Sequence, residues 1–173
     1  LDDRLCGLEA RGPGHPHLHF ELALVVARYG LLVHEVEERN RRQVLRADPQ
    51  RVAYWRKRLA DVSTGIKIGV TWRGGTAKTR GGLRSISAQE LGPILDSPRV
   101  TFIDLQRDAG GEPTELAPEY RARVLRFSDV PGDLADMAAL LQVLDGIVTV
   151  DNSTAHLAGA LGCRTWIMLP HSA

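Results

Sequence analysis

Five polar residues crowd the short stretch that follows an apolar, β-branched run ending at Val150: Asp151, Asn152, Ser153, Thr154 and His156. A strand leading directly into a helix places the free N–H groups of that helix at the carboxyl edge of a parallel sheet, where anions bind. Hydroxyl and amide groups there can cap the helix or contact phosphate oxygens. His156, about one turn into the helix, can donate a ring N–H to the same anion. The alternative is structural: one side chain caps the helix and His156 packs against the sheet.

A second polar stretch, residues 73–84, is rich in glycine and carries four cations: Arg73, Lys78, Arg80 and Arg84. Glycines such as Gly74 and Gly75 let backbone N–H groups approach a ligand closely, and the cations could neutralise a diphosphate. The spacing matches neither a Walker loop nor a GxGxxG fingerprint, and the same composition is typical of a solvated surface loop. Gln106 and Arg107 follow a further apolar run and either line the same cleft or begin a polar loop.

The elements that must position these stretches alternate along the chain. Apolar runs predict strands at 66–72, 100–105, 123–127, 144–150 and 164–169. Helix signals predict helices at 50–60, 88–95, 115–121, 134–143 and 154–161, with caps at Asp48, at Ser87 and at Asp133 or a neighbour. Strands and helices in alternation indicate an α/β fold with a doubly wound parallel sheet. The loops after its strands converge on one edge, so the two polar stretches are expected to face each other.

Composition argues against a nucleic-acid-binding protein, a membrane protein and a disulfide-rich protein. The chain has 173 residues, 43% of them hydrophobic and 25% charged, which is ordinary for one globular domain with a core. A formal net charge of +1 gives no field that favours nucleic acid or a membrane surface. No signal peptide or apolar run of about 20 residues occurs, and Cys6 and Cys163 form no disulfide framework. These features predict a cytoplasmic protein, and both ends of the chain suggest a piece of something larger.

Residues 1–47 are the least regular part and are predicted to form a separate N-terminal segment. His15, His17 and His19 would share one face of a strand and could hold a transition metal there. Pro16 would disturb such a strand, and no carboxylate or cysteine cluster accompanies the histidines, so no metal site is predicted. The run 31–36 is apolar enough for a buried helix or for part of a strand pair.

Five motifs in order carry a resemblance to a known family: 68–75 (IGVTWRGG), 83–86 (LRSI), 102–106 (FIDLQ), 136–141 (DMAALL) and 150–162 (VDNSTAHLAGALG). Together they resemble the C-terminal half of bacterial tetratricopeptide-repeat glycosyltransferases. These proteins are similar to O-linked N-acetylglucosamine transferases and to the heptosyltransferases of lipopolysaccharide assembly. The resemblance covers residues 44–173, departs at Asn152, where Thr is more common, and includes no visible repeats.

The resemblance implies a GT-B enzyme with two Rossmann-like domains facing across a cleft. Residues 48–173 would be the C-terminal, nucleotide-sugar-binding domain, cut at its own C-terminus, and residues 1–47 the remnant of the acceptor-side domain. The loop and helix start at 151–156 would hold the diphosphate, and Arg84, with Lys78 as second choice, would neutralise it. Arg73, Gly74 and Gly75 belong to the same predicted site, and Gln106 would lie near the base or sugar.

The resemblance also implies no obligatory metal or cofactor beyond the donor, and an acceptor that is an unidentified protein or glycan. It names no catalytic base, because such enzymes keep the base in the acceptor-side half. Two other functions remain open. A nucleotide-sugar epimerase would use a similar cleft with a carboxylate pair facing the sugar, and a degenerate domain beside repeats would serve as a non-catalytic interaction module.

Overall fold

The computed structural model describes residues 32–35, 43–76, 78, 81–106, 116, 118–127 and 133–169. Its strands are β1 (Leu32–Glu35), β2 (Ile66–Val70), β3 (Val100–Asp104), β4 (Val124–Arg126), β5 (Gly146–Val150) and β6 (Thr165–Leu169). Its helices are α1 (Pro49–Val62), α2 (Ala88–Leu95), α3 (Pro118–Arg121), α4 (Leu134–Val143) and α5 (Ser153–Ala160), with a 3-10 turn at Gly81–Arg84. The three-histidine motif and the cations Arg80 and Arg107 lie outside the described residues.

The strands form one sheet in the order β1-β6-β5-β2-β3-β4. The five strands from β2 onward are parallel, which confirms the predicted Rossmann-like α/β fold with flanking helices. β1 is antiparallel to β6 at one edge, with Leu32 opposite Leu169. The apolar run at 31–36 therefore contains a strand, and part of the segment 1–47 belongs to the same sheet as the rest of the chain.

Polar caps begin the four longer helices. The Asp48 carboxylate accepts the N–H of Gln50 at 2.7 Å, and the Asp133 carboxylate accepts that of Ala135 at 2.7 Å. Ser87 exchanges hydrogen bonds with the residue three positions later, Glu90, in the predicted capping box. All three predicted caps are confirmed. The fourth cap, Asn152, immediately precedes α5 and belongs to the site described below.

Apolar residues cover both faces of the sheet. One cluster lies between the sheet and α2 and includes Ile68, Phe102, Leu91, Leu95 and Trp166. The other lies beneath α1, α4 and α5 and includes Trp55, Ile103, Leu140, Ile147 and Ala158. Because consecutive residues of β3 and β5 belong to opposite clusters, these strands read as continuous apolar runs in the sequence. In the part of the chain that the structure describes, no helix is long and apolar enough to cross a membrane.

Candidate functional site

The candidate site lies where the order of the parallel strands reverses. From β2 the chain moves outward to β3 and β4, and it then returns to β5 on the other side of β2 and moves outward to β6. The loops that follow β2 and β5 therefore leave neighbouring strands at the same edge. Such a reversal opens a crevice at the carboxyl ends of the strands, which is the usual ligand site of open α/β sheets. Both polar stretches singled out in the sequence begin there.

The Asn152 side chain joins the two loops. Its Oδ1 accepts the N–H groups of Thr154 and Ala155 at 2.9 and 3.3 Å, which caps α5. Its Nδ2 donates to Thr71 Oγ1 at 2.8 Å and to the Arg73 carbonyl at 3.1 Å, both on the chain leaving β2. One amide thus fixes the start of α5 against the loop after the neighbouring strand. The prediction that the two stretches face each other is confirmed.

Arg84 and Asp151 form the second link between the loops. The Arg84 Nη2 atom lies 2.6 Å from an Asp151 carboxylate oxygen and also donates to the Asp151 backbone carbonyl at 2.9 Å. The side chains are 33% and 43% exposed, so water screens the pair only in part. Arg84 was predicted to neutralise a diphosphate, and in this structure its charge is balanced by Asp151. Among the described residues, Arg84 Nε is a buried donor without a hydrogen-bond partner.

Gly74 lies at the closest approach of the two loops. A Cβ atom on it would come within 2.6 Å of the Arg84 carbonyl oxygen and 2.8 Å of the Asp151 carbonyl oxygen. No real side chain tolerates such distances, so only glycine lets the three backbone segments meet there. The Gly74 N–H donates to Ser85 Oγ at 3.1 Å, and Ser85 Oγ donates to the Gly81 carbonyl at 2.7 Å. Ser85, which the sequence did not single out, thus holds the loop closed.

Gln106 holds the loop after β2 from the side of β3. It is 7% exposed, and its Oε1 accepts the N–H groups of Trp72 at 3.2 Å and Arg73 at 3.0 Å. From its position after β3, Gln106 was expected either to line the cleft or to begin a polar loop, and its side chain contacts the loop that follows β2. A direct contact with a base or sugar stays a prediction.

The cationic groups of the site differ in what they bond. Arg73, Lys78 and His156 are exposed, and in the described structure their side chains form no hydrogen bond or ion pair. Ser153, at the first position of α5, is exposed, and the next residue, Thr154, is 5% exposed. The Arg84–Asp151 pair is neutral overall, so among the site residues that the structure describes Arg73 and Lys78 carry the unbalanced positive charge. The positive end of the α5 dipole adds to it.

Two residues that the sequence analysis missed lie beneath the loops. Thr71 and Thr149 are buried at the ends of β2 and β5, and their hydroxyl oxygens are 2.6 Å apart. Each follows an apolar residue of its strand, and apart from the threonine itself nothing in the sequence indicates a hydrogen bond between the two. Within the described residues, no group of three or more histidine, cysteine or carboxylate side chains could hold a metal ion.

Comparison with known proteins finds a distant relative. The chain is 30% identical over 132 residues to protein FlbA of the bacterium Caulobacter vibrioides. The match covers 75% of this chain and 22% of FlbA, so the chain spans less than a quarter of the length of that relative. No family model matches the chain, and no solved structure matches it. The similarity is distant and does not assign the chain to a family.

Proposed function

We propose that this chain contains the donor-binding domain of a metal-independent GT-B glycosyltransferase, which holds a nucleotide-diphosphate sugar for transfer to a protein or glycan acceptor. The observation that carries the proposal is the contact of the loops after β2 and β5 at the strand-order reversal. Those loops contain the glycine, cation and helix-start motifs that resemble the transferase family. The parallel α/β fold is compatible with it.

The chemistry of sugar transfer explains why this edge suits the donor. As the acceptor hydroxyl forms its bond to the anomeric carbon, the bond to the nucleoside diphosphate breaks and negative charge gathers on the leaving phosphate. Fixed cations and N–H groups lower the energy of that charge without a metal ion. Arg73, Lys78 and His156 would contact the diphosphate, together with the hydroxyls of Ser153 and Thr154. The cap already occupies the N–H groups of Thr154 and Ala155, which leaves the N–H of Ser153 for the ligand.

The Arg84–Asp151 pair has a separate part in this proposal. An unpaired Asp151 carboxylate at the start of α5 would repel a diphosphate. Arg84 balances that charge and, through the Asp151 carbonyl, holds the two loops at the spacing the donor needs. Gly75 is exposed and would give the ligand access to the backbone, whereas the buried Gly74 lets the two loops meet. Gly75 has a φ of 69°, a left-handed conformation that favours glycine.

The same ion pair favours one alternative function. Because Asp151 already balances the charge of Arg84, the domain could serve as a non-catalytic interaction module derived from a transferase. Such a module would keep the fold and the loop contacts and bind no nucleotide.

Thermal unfolding of the full 173-residue chain separates these functions. We expect UDP, GDP or ADP, or a sugar conjugate of one of them, to raise the melting temperature in buffer containing EDTA. A ligand at about 100 times its dissociation constant adds about 2.7 kcal/mol, which moves the midpoint of a domain of this size by several degrees. His156→Ala and Lys78→Ala should reduce the shift without lowering the melting temperature of the free protein, because neither side chain bonds another described residue.

Matched controls come from α1, where Arg56 and Lys57 are exposed cations outside both loops. Their replacement by Ala should leave the nucleotide shift unchanged if the site rather than overall charge binds the ligand. A folded chain that no nucleoside diphosphate stabilises at millimolar concentration would overturn the donor-binding proposal and favour the interaction module.

A further inference from the structure

Three side chains beneath the loops form a closed ring of hydrogen bonds. Asn152 Nδ2 donates to Thr71 Oγ1 at 2.8 Å, so the single hydroxyl proton of Thr71 is left for Thr149 Oγ1 at 2.6 Å. The single hydroxyl proton of Thr149 is shared between the Val150 carbonyl at 2.9 Å and Asn152 Oδ1 at 3.1 Å. Both threonines are 1% exposed or less, and buried bonds in such a chain strengthen one another. The ring fixes the orientation of the Asn152 amide.

The fixed amide leaves Asn152 no free hydrogen-bonding group for a ligand. Its two N–H groups are taken by Thr71 Oγ1 and by the Arg73 carbonyl. Its Oδ1 already accepts from the ring and from the start of α5. An asparagine side chain offers two donors and one acceptor oxygen, and all are used. Asn152 can therefore affect a bound ligand only by positioning another group to which it is hydrogen-bonded.

That group is the backbone of Arg73, which is held from both sides. Asn152 bonds its carbonyl at 3.1 Å, and Gln106 accepts its N–H at 3.0 Å while approaching the same carbonyl at 3.5 Å. The Arg73 side chain is exposed and, in the described structure, forms no hydrogen bond or ion pair. Arg84, by contrast, is balanced by Asp151. Arg73 therefore combines a fixed backbone with a guanidinium group that is available to an anion.

We propose that Asn152 is a positioning residue that holds Arg73 at the edge of the site, so that its guanidinium binds the diphosphate of the donor together with the start of α5. The inference rests on the proposed function, and it assigns to Arg73 the cation role that the sequence gave first to Arg84. A fixed backbone lowers the entropy that Arg73 loses on binding, which raises affinity without any new contact. Asn152 also sets the distance between Arg73 and α5, because the same amide bonds both.

A double-mutant cycle on the full chain tests this coupling, with UDP, GDP, ADP and inorganic pyrophosphate as probes in calorimetric titrations. Asn152→Ser keeps a hydroxyl that can cap α5 but is too short to reach Thr71 or Arg73 at the same time. We expect Asn152→Ser and Arg73→Ala each to weaken binding of the best probe about tenfold, and the double variant to bind no more weakly than Arg73→Ala alone. Losses that multiply to about a hundredfold would show that Asn152 acts independently of Arg73 and would overturn the inference.

Amide hydrogen exchange without nucleotide separates failure of this inference from failure of the proposed function. Asn152→Ser should speed exchange at Arg73 and leave exchange at Leu105 unchanged, because the Leu105 N–H bonds the Val70 carbonyl at 3.0 Å within the sheet. Unchanged exchange at Arg73 would overturn the positioning role whether or not nucleotide binds. Faster exchange in a chain that binds no probe would overturn the proposed function and, with it, the use of Arg73 for a diphosphate.

A second variant keeps the test open if Asn152→Ser fails to fold. Gln106→Met removes the amide on the other side of Arg73 and keeps the length of the side chain. It should weaken probe binding in the parent and have no further effect in the Arg73→Ala background. A further loss in that background would contradict the inference, because Gln106 would then act elsewhere.

Discussion

The same kinds of polar bond occur in two regions of the molecule but contribute differently to the contact in each. Between α1 and α4, Arg51 Nη1 lies 2.7 Å from an Asp133 carboxylate oxygen and 2.8 Å from one of Asp136. Trp55 Nε1 donates to Asp136 at 3.2 Å. Beneath these bonds Trp55 and Leu140 are fully buried in one apolar cluster. The polar bonds between the helices are therefore added to a contact that apolar burial already stabilises.

Between the loops after β2 and β5, polar and backbone groups make the contact themselves. Gly74 touches two carbonyl groups, Asn152 bonds Thr71 and Arg73, and Arg84 bonds Asp151. Loss of one bond between the helices leaves the buried surface in place. Loss of one bond between the loops changes the spacing at which they meet. Mutations in the first region should thus alter stability, and mutations in the second should alter ligand binding.

Trp55→Ala should give the largest effect of all, on stability. The Trp55 side chain is fully buried, packs edge-on against Phe127 with ring centroids 5.3 Å apart, and lies under the Arg58 guanidinium at 4.8 Å. Removal of such a side chain leaves a cavity and costs about 3–5 kcal/mol, measured as the free energy of unfolding in urea. Nucleotide affinity of the folded fraction should not change.

The adjacent Tyr54 provides the control for this prediction. It is 53% exposed, so Tyr54→Ala should cost less than about 1 kcal/mol even though it removes a hydrogen bond from Arg58. Equal losses for Trp55→Ala and Tyr54→Ala would show that burial does not dominate the contact between the helices, and the contrast between the two regions would fail.

Gly74→Ala should have its main effect on binding. The new methyl group would push apart the backbone at Arg84 and Asp151, which costs about 1–3 kcal/mol of stability as in other overpacked sites. Because a displacement of about 1 Å can lower function by up to about a hundredfold, we expect nucleoside diphosphate affinity to fall at least about tenfold in calorimetric titration.

Gly82 in the same loop gives a matched substitution, because no atom lies within 4 Å of the position that its Cβ would take. Its φ is not positive, so Gly82→Ala should leave affinity unchanged and be neutral or stabilise by up to about 1 kcal/mol. If both alanines weakened binding equally, the loop as a whole would matter rather than its contact with the segment at Asp151.

The sequence predicted the strands and the caps, because each follows from local spacing, and the alternation of strands with helices indicated a parallel sheet. Alternating apolar runs indicate strands, and Asp48, Ser87 and Asp133 precede helices in positions where a carboxylate or hydroxyl accepts free N–H groups. The meeting of the two loops follows from strand order alone. Strand β1 was left open between helix and strand, because a short apolar run does not separate the two.

The partner of each polar group was beyond sequence reasoning. Arg84 lies 67 residues from Asp151, and Asn152 lies 81 residues from Thr71, so no local pattern pairs them. A cation beside glycines equally suits a phosphate or a carboxylate, and an asparagine before a helix equally suits a cap or a ligand. The three-dimensional arrangement decides such cases, and here it favours Arg73 over Arg84 as the cation that is available to a ligand.

The smallest predicted effect concerns the charge of Asp133. The Arg51 guanidinium that bonds it, together with the Ala135 N–H, holds the pKa of the Asp133 carboxyl below its usual range. A carboxyl whose pKa is lower in the folded than in the unfolded state stabilises the fold above the unfolded pKa, and this contribution disappears as the pH falls below about 4. Asp133→Asn should therefore destabilise slightly at pH 7, with a deficit that closes in acid. The effect is small because Asp136 still pairs with Arg51.

Asp48→Asn is the matched control, because Asp48 caps α1 through the same kind of bonds and, among the described residues, no cation pairs with it. The difference between the two variants in urea titrations from pH 7 to pH 3 isolates the bond to Arg51. A difference that persisted unchanged at pH 3 would mean that the loss does not come from the charge of Asp133. A difference that exceeded the loss for Trp55→Ala would mean that charge rather than apolar burial holds α1 to α4. The helix pair would then depend on single polar bonds in the same way as the loops.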